Sequence, residues 1–191
     1  GNPEQTYQVA PTTDEVVAFR NKTNVVVNGG GTAGSDTFVV NLNTNHGAAP
    51  STLTINANTG GSSTTLTSSL ATVTVNGNSG SDFLSGALVT STALTGSVAD
   101  GFAGTIAAGG HGFTKIDSLT GSGTLTGLNA TNTWNVSANT YSTGGSTLTF
   151  GGFSILAGNA GADTVAGSGA TYNTFDATTK GTFNAGAYAV T

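Results

Sequence analysis

The sequence predicts an all-β chain wound as a β-solenoid (a parallel β-helix) of about four degenerate repeats, with a β-sandwich as the alternative. Three observations carry this. Apolar residues recur at alternate positions in short pulses, the spacing that puts every second side chain on one face of a strand. Clusters of Gly, Asn, Ser and Thr separate the pulses and read as turns. A corner of the form Gly-x-Asp-x-apolar recurs at Gly34-Ser35-Asp36-Thr37-Phe38, Gly80-Ser81-Asp82-Phe83-Leu84 and Gly161-Ala162-Asp163-Thr164-Val165.

Taken in order, residues 1–16 hold two of the three prolines and both glutamates and read as a lead-in segment, leaving 17–191 as a single β-repeat domain. The first strand, 24–27, is a valine run closed by Asn28-Gly29. The second, 36–42, alternates Phe38, Val40 and Leu42, and the third, 51–57, alternates Leu53, Ile55 and Ala57. Strands follow at 64–67 and 71–75, the latter ending in the turn Asn76-Gly77-Asn78, and then at 82–90, 112–116 and 124–128. Trp134 and Val136 mark 132–136, and Leu148 and Phe150 mark 147–156, with Tyr141-Ser142-Thr143-Gly144-Gly145 as the turn between. Strands at 173–175 and 181–190 complete the chain, and no stretch of ten residues carries helical periodicity. Asp82 to Asp163 is nearly twice the separation of Asp36 to Asp82. A drifted unit at 116–125, with its corner aspartate lost, fills the gap, so each unit reads as two coils of about 20 residues.

Composition narrows function. Charged residues make up 7% and hydrophobic residues 36%, so Gly, Thr, Ser, Ala and Asn take the place of charge, residues suited to turns and stacked strands. Four cations, Arg20, Lys22, Lys115 and Lys180, cannot neutralise a phosphate backbone, which excludes nucleic acid as a partner. No apolar run approaches the roughly 20 residues of a membrane helix, so membrane insertion is not expected. The absence of cysteine removes disulfides, thiol catalysis and Zn–Cys sites. A chain beginning at Gly1 reads as an excised piece, so the lack of a signal peptide says nothing of targeting. The acidic, Cys-free, Met-free, Thr/Gly-rich composition points to a bacterial exported protein.

The stretch from Gly112-Phe113-Thr114-Lys115-Ile116-Asp117-Ser118-Leu119-Thr120-Gly121, through Asn132-Thr133-Trp134-Asn135-Val136, to Ala157-Gly158-Asn159-Ala160-Gly161-Ala162-Asp163-Thr164 resembles repeats of large bacterial exported proteins. These are the filamentous haemagglutinin-like adhesins and the RTX-like repeat proteins that overlap them. The resemblance spans residues 24–166 in degenerate form. It implies an elongated, non-enzymatic module at the cell surface or secreted, for example in an S-layer or biofilm, whose partners are an extracellular glycan or matrix, or other copies of itself. It also raises calcium as a cofactor. The RTX corner binds Ca²⁺ through aspartate and carbonyl oxygens, and the matching positions here are Asp36, Asp82 and Asp163. Because these corners are isolated rather than in tandem, the competing expectation is that each aspartate caps its own turn.

Other residues give weaker signals. His46 and His111, in Gly-rich stretches, read as solvated loop histidines. Trp134 and Tyr141 are candidate sugar-stacking contacts, with a core role for the tryptophan as the competing reading. Thr-x-Thr pairs at 52–54, 72–74, 124–126 and 147–149 suit an ice-ordering array but lack constant spacing. Asp100, Asp117 and Asp176 have no spacing that suggests a glycosidase pair, and no nucleophile elbow is present. The expected function is a structural or adhesive module, not an enzyme. The alternatives are a carbohydrate-binding module and, last, a polysaccharide-degrading enzyme.

Overall fold

The computed structural model describes residues 22–30, 34–42, 50–69, 71–166, 174–176 and 182–185. The expected lead-in at 1–16, His46, and parts of the strands expected at 173–175 and 181–190 lie outside them. Within the described residues the chain is all-β, with 62% strand and 2% helix. Odd and even strands alternate between two sheets over the first three coils. Strands β1 (Asn24–Asn28), β3 (Thr52–Asn56) and β5 (Thr72–Asn76) go to sheet A. Strands β2 (Asp36–Asn41), β4 (Ser62–Ser68) and β6 (Asp82–Ser85) go to sheet B. Neighbours within each sheet run parallel, Thr52 to Asn56 pairing one for one with Thr72 to Asn76. Here the coil is 20 residues long, as expected; the coil before it is stretched to 28.

The middle of the chain departs from a plain solenoid. Strands β7 (Thr90–Val98), β8 (Gly101–Ile106) and β9 (His111–Ile116) form an antiparallel meander in sheet A, and β9 returns beside β5. After β10 (Ser118–Thr120) and β11 (Ser122–Thr126), a second meander forms in sheet B. It comprises β12 (Asn132–Asn135), β13 (Thr140–Thr143) and β14 (Ser146–Gly151), the last beside β10. Parallel stacking resumes with β15 (Ile155–Ala157), β16 (Ala162–Ala166), β17 (Thr174–Asp176) and β18 (Thr182–Ala185). Sheet A thus runs β1-β3-β5-β9-β8-β7-β11-β15-β17 and sheet B runs β2-β4-β6-β10-β14-β13-β12-β16-β18. Counted from β1 and β2, the first meander fills the fourth to sixth places of sheet A and the second the fifth to seventh of sheet B, so the two are offset by one strand. The stacked coils are those of a solenoid, while the two meanders are the antiparallel element of a sandwich.

One core fills the space between the sheets. Val27, Ile55, Val75 and Phe113 stack in register from sheet A, and Phe38, Thr64, Leu84, Leu119 and Phe150 do so from sheet B. The β7–β8 hairpin has no counterpart among the expected strands, and Gly104 explains why. It occupies the inward position between Phe102 and Ile106, breaking the apolar alternation, and a Cβ there would collide with the Phe113 ring and reach Ala93 O at 2.7 Å. The ring of a neighbouring strand supplies the bulk that the β8 sequence lacks. Gly104→Ala is therefore expected to lower unfolding free energy by about 1–3 kcal/mol, the range for overpacking a filled core. A urea denaturation midpoint equal to that of the parent chain would contradict this packing.

Candidate functional site

The chain's distinctive chemistry lies at the corners where it passes from sheet A into sheet B. A strand start turned inward brings polar backbone groups inside, and these must find partners. The residues placed there form one column: Asp36, Ser62 and Asp82 are in register. Asp82 is fully buried; its Oδ1 accepts from the Ser62 hydroxyl (2.7 Å) and its Oδ2 from the Asn78 amide (2.7 Å). It caps its own turn and ties it to the previous coil. Gly77 leaves room for that carboxylate, since a Cβ there would collide with Lys115 O and lie 2.8 Å from Asp82 Oδ2.

The drifted unit has kept its aspartate after all. Asp117 immediately precedes the Ser118–Phe83 pair, and the two aspartates are joined both ways. The Asp82 amide donates to Asp117 Oδ2 (2.9 Å) and the Asp117 amide to Asp82 O (2.9 Å). Two residues before Asp36 and Asp163 stand Gly34 and Gly161, both at positive φ; two residues before Asp117 stands Lys115, at φ 54°. A lysine holds the left-handed backbone that glycine usually supplies, which hid the corner from pattern matching. Burial raises the Asp117 carboxyl pKa against the lowering effect of the Asp82 amide, and the charges of Asp82 and Asp100 add to the rise. Lys115 reaches Asp100 at 3.5 Å on the surface.

Farther along, Asn132 and Asp163 are in register and continue the same chemistry. Asn132 Nδ2 donates to Asp163 Oδ1 (2.7 Å) and turns toward Leu128 O (2.9 Å) and Ala130 O (2.7 Å). Tyr141 donates to Asn132 Oδ1 (2.7 Å) while accepting from the Leu128 amide (2.7 Å). Burial raises the Asp163 pKa, partly offset by hydrogen bonds from the Asn132 side chain and the Asn132 and Asn159 backbones. Burial also pushes the Tyr141 hydroxyl well above the ordinary tyrosine range.

The expected calcium positions are therefore distributed rather than convergent. Asp36 and Asp82 are two strand steps apart, about 10 Å, and Asp82 and Asp163 are five steps apart, about 24 Å. No group of three His, Cys, Asp or Glu side chains converges among the described residues. Trp134 and Tyr141 do come together, their ring centroids 4.5 Å apart, but as core. Both are fully buried, with Phe150 edge-on to Trp134 and Phe102 edge-on to Tyr141, so neither offers a face to a ligand as expected for sugar stacking. The alternation of Trp134 with Val136 is the sequence sign of the core role, and the polar Thr133 and Asn135 occupy the opposite side of the strand. Of the Thr-x-Thr pairs, those at 52–54 and 72–74 stack in register, and those at 124–126 and 147–149 lie on separate sheets.

His111 also differs from expectation. It is 2% exposed rather than solvated, and its Nδ1 accepts from the Val73 amide (3.0 Å), bridging β9 to β5 just beyond their paired residues. Burial lowers its pKa from the ordinary 6.5. A folded-state pKa below the unfolded one contributes stability that is complete above pH 6.5 and lost as pH falls through the folded value. Asp117 and Asp163 act with the opposite sign, favouring the fold as they protonate toward 3.8. Denaturation of the parent chain and of His111→Gln between pH 7.5 and 5 isolates the histidine: the parent is expected to lose more stability on acidification than the variant, and parallel curves would refute the bridge. Independently, Tyr141→Phe strands the Leu128 amide and Asn132 Oδ1, with an expected cost of about 1–3 kcal/mol in a urea melt.

Compared with protein-family models, curated proteins and solved structures, the chain has no significant match of any of the three kinds, so the resemblance to exported repeat proteins rests on its corner motifs alone.

Proposed function

We propose that this chain is a structural or adhesive module of a bacterial exported protein, acting at the cell surface or in the extracellular space through shape and surface rather than catalysis. The observation that carries the reading is a side-chain ladder on the outside of sheet A. Asn56 Nδ2 donates to Asn28 Oδ1 (2.7 Å), Asn76 Nδ2 to Asn56 Oδ1 (2.8 Å), and the Thr114 hydroxyl to Asn76 Oδ1 (3.2 Å). Beside it, the Thr52 hydroxyl donates to Asn24 Oδ1 (2.7 Å). Surface side chains that bond to the coil above and below stiffen a stack along its axis, which suits a stalk or a presenting scaffold.

The alternatives draw less support. A carbohydrate-binding module centred on Trp134 and Tyr141 would need rings that are open, and these are core. A glycosidase would need two carboxylates flanking a bond, whereas Asp82 faces inward and is bonded to its own corner, and Asp100 pairs with Lys115. At Asp82 the Asn78 amide and the Ser62 hydroxyl take up the oxygens that would ligate calcium. Asp36 and Asp163 each keep one buried carboxylate oxygen without a protein partner, but no third acidic or histidine side chain joins either among the described residues, so the reading does not depend on the metal.

Two measurements test the reading. Small-angle scattering of the folded chain is expected to give an anisotropic particle elongated along the stack, and a compact spherical profile would count against a scaffold. Thermal melting in EDTA is expected to coincide with melting in millimolar calcium; a calcium-dependent rise in Tm would show that metal locks the corners.

A further inference from the structure

Among the residues whose exposure is described, the outer face of sheet B differs from that of sheet A in carrying an exposed aromatic ring. Phe83, on β6, is 48% exposed. Its side chain points outward because Asp82 and Leu84 on either side of it point in. In the ladder it lies between Ser63 of β4 and Ser118 of β10, each one strand spacing away, about 4.8 Å. Two residues along the same strand, Ser85 lies in register with Thr65, their hydroxyl oxygens 3.3 Å apart. The outward positions of β2, β4, β6 and β10 carry no charged side chain.

This arrangement restricts what can dock. A ring face is negatively polarised and attracts weakly positive C–H groups as well as apolar surface. Hydroxyls one strand spacing away on either side can both donate and accept. An uncharged face on a chain of net charge −5 gives a polyanion no counter-charge. The partner that matches all three is a neutral polysaccharide: its sugar rings present C–H groups on the flat side and hydroxyls around the rim. A second copy of the chain fits less well. The other strongly exposed apolar residue on these strands, Val39 at 66%, pairs with Thr65 rather than with Phe83, so there is no continuous apolar centre of the kind protein interfaces bury.

We propose that the outer face of sheet B around Phe83, with Ser63, Ser118, Ser85 and Thr65, is a docking surface for neutral polysaccharide. This rests on the adhesive reading above and gives it a location. It moves the sugar contact from Trp134 and Tyr141 to the opposite side of the same sheet, where an aromatic is open.

The test is a binding isotherm of the intact chain on microcrystalline cellulose and on chitin particles, with soluble polygalacturonate as the charged comparison. Binding is expected to one or both neutral polymers, to persist in 1 M salt where charge contacts are screened, and to weaken about tenfold in Phe83→Ala, as for loss of a single central contact. Phe83→Trp is expected to retain it, and so is Val26→Ala, which alters the exposed face of sheet A. Phe83 is a surface residue, so its variants should melt like the parent, and the melting curve checks this. Several outcomes overturn the proposal: binding that is equal in Phe83→Ala, binding confined to polygalacturonate, or concentration-dependent dimerisation that requires Phe83 in place of polymer binding. If no polymer binds but scattering gives the elongated particle, the docking surface is wrong and the scaffold reading stands. If scattering gives a compact sphere, the scaffold reading fails by itself.

Discussion

The structure depends on satisfying backbone polar groups at the inner corners of the stack. A two-sheet coil must turn twice per circuit, and each inward turn carries amides beyond the reach of the strand ladder. Leaving such groups unpaired costs about 1–3 kcal/mol each, and a stack multiplies the cost by the number of coils. The chain answers with a column of short acceptors. Asp82 accepts from the Asn78 amide within its own turn, from Ser62 in the coil before, and its own amide donates to Asp117 in the coil after. The Asp82 corner is therefore joined to both neighbouring coils as well as closed locally, and it fixes the register of the hydrophobic positions behind it.

The two meanders show how this constraint tolerates interruption. Both insert three antiparallel strands into one sheet while the opposite sheet waits, and both hand the chain back to its previous neighbour. The first return is sealed by His111, which accepts the Val73 amide where β9 has not yet come into line with β5. The entry to the second is closed by Tyr141, on its middle strand, which reaches across to the Leu128 amide and Asn132. Both rings are buried and both lend a polar atom to a backbone group left open by the change of strand direction. The aromatic cluster around Trp134 then fills the wider space that the second meander encloses.

Much of this was legible in the sequence, and the failures have physical causes. Alternation marked β2, β3, β12 and β14 because each has one inward and one outward face. The Gly-x-Asp corners mark the places where Asp82 and Asp163 are buried, and at Gly34 and Gly161 the glycine takes a positive φ. Asp117 escaped because Lys115 adopts the unusual backbone in glycine's place. Strands β7 and β8 escaped because Gly104 lends its inward space to Phe113, so complementarity between strands replaced periodicity within one. His111 and Tyr141 were misread for a common reason: their partners lie on other strands, Val73 in one case and Leu128 in the other, and nothing in the flanking Gly, Ser and Thr residues reports them.

The scarcity of charge follows from the same stacking. In a parallel in-register sheet a side chain meets its counterpart about 4.8 Å away in the next coil. Two like charges at that distance repel by about 3 kcal/mol at an effective dielectric of 20, at every step of the ladder. Asparagine and threonine in the same place attract one another, because each carries both donor and acceptor. Asn28, Asn56, Asn76 and Thr114 use that property down one column. Growth by repetition thus selects neutral, hydrogen-bonding outer faces before any partner is considered. An exposed aromatic is not explained by stacking, since Phe83 has serines rather than aromatics on either side of it. It is the one outward side chain on its strand for which the ladder supplies no reason, and that makes the sheet B face the place where the scaffold's chemistry departs from its architecture.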